Sequence, residues 1–140
     1  MPEMTRQRPG PMRLADALKY RLPPSGWVSI LHRVSGALMF FLLPFIVWLF
    51  DASLTSEISY ERFTSAFIVG IGFVPAWFVK LVVLALIWGY LHHFIAGLRH
   101  LWMDAVHAVD LGPARASARF TLAAGVLLTL VLGAKLFGLY

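Results

Sequence analysis

An all-α membrane protein with three transmembrane helices is the fold class this sequence predicts, and three observations predict it. Hydrophobic residues make up 59% of the 140 and charged residues only 14%, too little polar side chain to cover a soluble domain of this length. The apolar residues form three runs long enough to cross a bilayer, at about 27–50, 75–101 and 118–140. Lys and Arg cluster outside these runs or toward their ends, as membrane topology signals do.

Residues 1–26 are polar and rich in Arg and Pro. They lack the short apolar core and small-residue cleavage site of a signal peptide, and they are too short and Pro-rich for a mitochondrial presequence. They read as a cytoplasmic N-terminal arm on a protein of the bacterial inner membrane. Residues 27–140 then form a single transmembrane domain.

The first span is framed by Trp27 and Trp48, aromatic residues suited to the two interfaces. Its helical rise gives about 36 Å, enough to cross with some tilt. Pro44 lies inside it and is expected to kink it, as membrane helices tolerate. Residues 63–79 carry no charge, but Gly70, Gly72 and Pro75 break them. Residues 60–71 are therefore expected to form an amphipathic, interfacial segment rather than a fourth crossing. The second span opens near Trp77, and Lys80, one turn inside, can snorkel to the interface. On the third span Lys135 can do the same, while Gly125, Gly133 and Gly138 are expected to permit close helix packing.

A net charge of +5 admits nucleic acid as a partner, but the placement of the basic residues favours topology. Arg6, Arg8, Arg13, Lys19 and Arg21 precede the first span, and Arg99, Arg115 and Arg119 mark the connection between the second and third. The loop after the first span has Arg62 beside Asp51, Glu57 and Glu61. The positive-inside rule puts the N-terminus and the 99–119 connection in the cytoplasm and the C-terminus outside. With no cysteine, the chain makes no disulfide and supplies no thiolate to zinc or an iron–sulfur cluster.

Two polar stripes interrupt the apolar spans. On the second, His93, Gly97, His100 and Asp104 follow at i, i+4, i+7 and i+11, one helical face. On the first, Ser29, His32, Arg33 and Gly36 fall at i, i+3, i+4 and i+7. Under the expected topology both lie at the cytoplasmic side and at similar depth, which implies a shared site. Ionisable groups in a membrane span are costly and normally face a bundle interior, a cofactor or a polar pathway.

A haem accounts for these residue types. Neutral imidazole is a good axial ligand to iron, and helical bundles hold such cofactors between facing side chains. Of the adjacent pair His92 and His93, spacing selects His93 as the ligand, and Gly97 one turn away lets a porphyrin plane approach the backbone. Arg33, Arg99 and His100 can pair with the propionates, and Asp104 can fix the tautomer of His100. Ser29 and Arg33 offer a hydroxyl and a permanent cation suited to a quinone carbonyl. Plainer roles compete: arginines at span ends are ordinary anchors, His107 suits an interfacial position, and serines often line helix contacts.

The segments Ser29-Ile-Leu-His-Arg-Val-Ser-Gly36 and His93-x3-Gly97-x-Arg99-His100-x3-Asp104, in that order, resemble the cytochrome b membrane subunit of succinate dehydrogenase. Arg8-Pro9, the length and the three-span layout fit the same family. The resemblance implies a membrane anchor in a four-subunit complex, with a flavoprotein, an iron–sulfur protein and a second small anchor as partners. It implies haem b as cofactor, shared in a heterodimeric bundle of the two anchors, and ubiquinone as substrate. His93 would be one axial ligand, with Ser29 and Arg33 in the quinone pocket and His32, Arg33 and His100 near the propionates.

No second deep histidine is free on another span, so a bis-histidine haem takes its other ligand from a partner chain or, in a competing geometry, from His32. Two other functions stay open at this point. One is the anchor of a fumarate reductase, which runs the same chemistry in reverse. The other is a non-redox transporter or assembly component with His and Asp in a proton relay.

Overall fold

The computed structural model describes residues 10, 11, 13–107 and 110–140; Arg6, Arg8 and Pro9 of the arm lie outside them. A short helix α1 (Leu14–Lys19) precedes the first long helix, α2 (Pro24–Leu54). After α2 come α3 (Glu57–Ile68), a two-residue hairpin of β1 (Gly70–Ile71) and β2 (Val74–Pro75), α4 (Ala76–Val106) and α5 (Leu111–Leu136). Among the described residues, α2, α4 and α5 are long and apolar enough to cross a membrane. The protein is an all-α, multi-pass membrane protein, as its composition predicts.

The helices overrun the apolar spans. α2 and α4 have 31 residues each and α5 has 26, about 46 and 39 Å against a hydrocarbon core of about 30 Å. Pro24 opens α2 at a position where a missing N–H costs nothing, and the helix runs on through Pro44. α5 begins seven residues before the expected start at 118, because a helix's hydrogen bonds do not stop where hydropathy falls at Arg115 and Arg119. It also ends earlier than expected. Gly138, with φ +77°, takes the left-handed conformation that closes a helix. A Cβ added there would meet no atom within 4 Å, so Gly138 closes the helix and does not have the close-packing role expected of it.

The 55–75 connection is short for physical reasons. Ser56 and Ser59 exchange side-chain and backbone bonds in a capping box that starts α3. Twelve residues make about 18 Å, too little to cross. Gly70 and Gly72, at φ +106° and +57°, then turn the chain through the hairpin into α4. At the other end His107 stops α4 in a left-handed conformation.

α2, α4 and α5 pack on one another, with α4 between the other two in sequence and against both in space. The buried hydrophobic residues are small or medium: Val28, Ala96 and Ala118, flanked by Leu122. Large apolar side chains such as Phe40, Phe41, Leu127 and Leu130 face outward. Small residues set the α4–α5 seam: a methyl at Gly133 would stand 2.7 Å from a Leu84 Cδ1, so Gly133 has the close-packing role expected of it. Lys80, one turn into α4, lies over the Phe137 ring at 5.7 Å.

Candidate functional site

The two polar stripes meet. His32 of α2 and His93 of α4 stack face to face, with ring centroids 4.1 Å apart and planes 13° from parallel. His100, two turns after His93, brings its ring to 5.2 Å from that of His32. The antiparallel pairing of α2 and α4 thus places both stripes at one level, as the sequence predicts.

His93 is gripped through one nitrogen. Its Nδ1 lies 3.0 Å from the His32 carbonyl oxygen. A carbonyl only accepts, so the bond requires the proton on Nδ1 and leaves Nε2 bare. That is the tautomer a metal-binding imidazole needs. Ser35 Oγ stands 3.3 Å from the same Nδ1. Beneath the ring lies Gly36, where an added Cβ would come within 2.8 Å of His93 Cε1.

Gly97, expected to flank His93, instead faces His32: a Cβ there would stand 3.5 Å from His32 Nε2. The sequence pattern put Gly36 on the α2 stripe without showing that it cradles His93. Ser35 lay beside that stripe and carried no signal. Arg33 and Asp104 are exposed, and Ser29 and His100 are half-buried.

The chain matches the family described as succinate dehydrogenase/fumarate reductase transmembrane subunit across residues 4–132. It belongs to that family. The chain is 29% identical to the succinate dehydrogenase cytochrome b556 subunit of Paracoccus denitrificans over 80% of this chain and 81% of that one. The subunit of the same name from Coxiella burnetii is 32% identical over 64% of this chain and 66% of that one. One from Rickettsia felis is 25% identical over 81% and 82%. The resemblance drawn from the two motifs is therefore right, and the chain is a membrane subunit of an oxidoreductase complex of the succinate dehydrogenase type.

In this cytochrome b anchor the adjacent histidines face opposite ways. His92 points into the bundle, 1% exposed, stacked on Trp88 at 5.4 Å and opposite Gly125. Neither of its ring nitrogens has a hydrogen-bond partner among the described residues. A Cβ added at Gly125 would stand 3.9 Å from His92 Nδ1, an ordinary contact. Spacing selected His93 for the polar stripe, and His93 is the one that faces α2.

Arg99 is turned away from the histidines. Only 8% exposed, it donates from Nε to Ser117 Oγ and from Nη2 to the Ala114 carbonyl, each at 3.0 Å. These bonds tie α4 to the first turns of α5. Arg99 is thus not brought to the His32–His93–His100 cluster, and it does more than anchor a helix end.

Proposed function

We propose that this anchor binds haem b through His93 and contributes to a ubiquinone-reduction site that accepts electrons from an iron–sulfur subunit. The observation that carries the reading is the 3.0 Å contact of His93 Nδ1 with the His32 carbonyl, which frees Nε2 as a metal donor. Three further features fit a haem. Gly36 leaves the ring space that a Cβ would fill, His93 is half-buried rather than sealed, and His32 and His100 gather beside it. Bound there, haem b would take up and return one electron at its iron.

A second ligand to the group would then come from the partner anchor. His32 and His93 oppose their faces, not their nitrogens, which disfavours one iron held between them. His32, Arg33 and His100 would offer donors to the propionates, and Arg99 would reach them only by releasing α5. Gly97 faces His32, where an added methyl would make only an ordinary contact. Ser29 and Arg33, one turn apart at the start of α2, would hydrogen-bond the quinone carbonyls. The quinone needs two electrons and two protons, so a polar pair near the aqueous boundary suits it. The excess of Arg and Lys before α2 and between α4 and α5 supports a cytoplasmic N-terminus and an external C-terminus in a bacterial inner membrane. Residues 60–71, with most of α3 and β1, would lie along the outer interface. A flavoprotein that oxidises succinate, an iron–sulfur protein and a second small anchor would complete the assembly.

The test is the reduced-minus-oxidised absorbance spectrum of the purified complex carrying His93→Ala or His32→Ala. His93→Ala is expected to abolish the b-type band and His32→Ala to preserve it. An undiminished band in His93→Ala would falsify the assignment.

A further inference from the structure

Ser35 carries a second contact to the nitrogen on which the haem reading rests. Its side chain is buried, 4% exposed, on α2 beside both the His32 carbonyl and the His93 ring. Its Oγ lies 2.7 Å from the Leu31 carbonyl and 3.0 Å from the His32 carbonyl. A hydroxyl has one proton to give, and the shorter contact takes it. The oxygen's lone pairs are then what it presents to His93 Nδ1 at 3.3 Å. The Nδ1–H is shared between two acceptors, the His32 carbonyl at 3.0 Å and the Ser35 hydroxyl, both on α2.

We propose that Ser35 is a positioning residue for His93: as second acceptor to Nδ1–H it fixes the ring's rotation and strengthens Nε2 as a donor to the haem iron. This rests on the reading of His93 as axial ligand. One acceptor alone would leave the ring free to swing about a single bond, whereas two acceptors three residues apart on α2 define its plane. Partners that accept from a ligating imidazole raise its basicity, and a more basic ligand favours ferric over ferrous iron. The Ser35 hydroxyl therefore lowers the haem potential.

The experiment compares the whole purified complex with Ser35→Ala, Ser35→Thr and His93→Ala, using redox titration of the b-type band and the ferric haem paramagnetic resonance spectrum. Ser35→Ala is expected to keep its haem and move the ferric/ferrous equilibrium toward ferrous by about threefold, a rise of about 30 mV at about 59 mV per tenfold for one electron. The ferric resonance should shift as the ring's orientation loosens, and Ser35→Thr, which keeps the hydroxyl, should restore both values. Should Ser35→Ala fail to accumulate, Ser35→Cys, similar in size and a weak acceptor, replaces it with the same expected sign. An unchanged or lowered potential with an unchanged ferric spectrum overturns the role of Ser35. A reducible b-type haem surviving in His93→Ala overturns the ligand reading instead.

Discussion

Gly36→Ala is the sharpest single perturbation of the site. The new Cβ would stand 2.8 Å from His93 Cε1 and 3.3 Å from Nδ1, where carbon atoms in contact prefer about 3.5–4.0 Å. The ring must retreat from α2 by about 1 Å to regain that separation. Both acceptors that hold it, the His32 carbonyl at 3.0 Å and Ser35 Oγ at 3.3 Å, belong to α2 as well. Retreat stretches both bonds at once, beyond about 3.5 Å, where they cease to count. Overpacking costs about 1–3 kcal/mol, and the better helix propensity of Ala over Gly returns about 1 kcal/mol. The helix should therefore survive while the ligand loses its seat. We expect the complex to assemble with haem affinity lowered about 10–100-fold, the usual cost of losing a ligand's supporting bonds. Haem per complex, measured as haem supply is limited, reads this directly. Gly97→Ala and Gly125→Ala serve as controls, because their added methyls meet His32 at 3.5 Å and His92 at 3.9 Å, ordinary contacts. Wild-type haem content in Gly36→Ala under limiting supply, or equal loss in the two controls, would refute the reasoning.

Arg99→Ala removes two bonds at 3.0 Å from a buried guanidinium and should cost about 2–3 kcal/mol, seen as a lower thermal midpoint and faster proteolysis between α4 and α5. Arg99→Lys should recover little of it, because one ammonium does not reproduce the guanidinium's fork. Ser29→Ala and Arg33→Leu should each slow quinone reduction at least tenfold, about 1.4 kcal/mol, while succinate oxidation with an artificial acceptor persists; equal loss of both activities would count against a quinone role. His92→Leu should keep the b-type spectrum and leave the thermal midpoint unchanged or raised, since it replaces a buried imidazole with no hydrogen bond by an apolar side chain of similar volume. Loss of the band there would mean that the wrong histidine of the pair had been assigned to the iron.

Much of this was legible in the sequence, for reasons particular residues make plain. Apolar run length found the three spans, and helical spacing separated His93 from His92. The alignment of the two stripes at one level followed from antiparallel helices whose polar ends share a side. What escaped was the direction in which side chains lean. Helical side chains tilt toward the N-terminus of their own helix, so the His93 ring leans away from Gly97, which follows it, and onto Gly36 of the neighbouring helix. The bare patch at Gly97 is left for His32. Arg99 reads as an anchor or a propionate partner because it stands at the end of an apolar span, whereas α5, starting at Leu111, carries Ser117 and Ala114 to its guanidinium. Periodicity along one helix does not contain the rotation of its neighbour, and that rotation decides which glycine serves which ring.

The packing also links the site to the fold. Without water to expel between them, membrane helices hold together by close contact and polar bonds rather than by apolar burial. In α2 only Val28 and Ser35 are buried, and from Phe40 to Phe50 most of its large side chains face outward. The His93 bond to the His32 carbonyl, the Ser35 contact and the ring stack are therefore a large part of what joins α2 to α4. The groups that would prepare a nitrogen for iron are the same groups that hold the helix bearing Ser29 and Arg33. A haem bound at His93 and a quinone held by α2 would consequently report on one another through a shared helix contact, even with no direct touch between them.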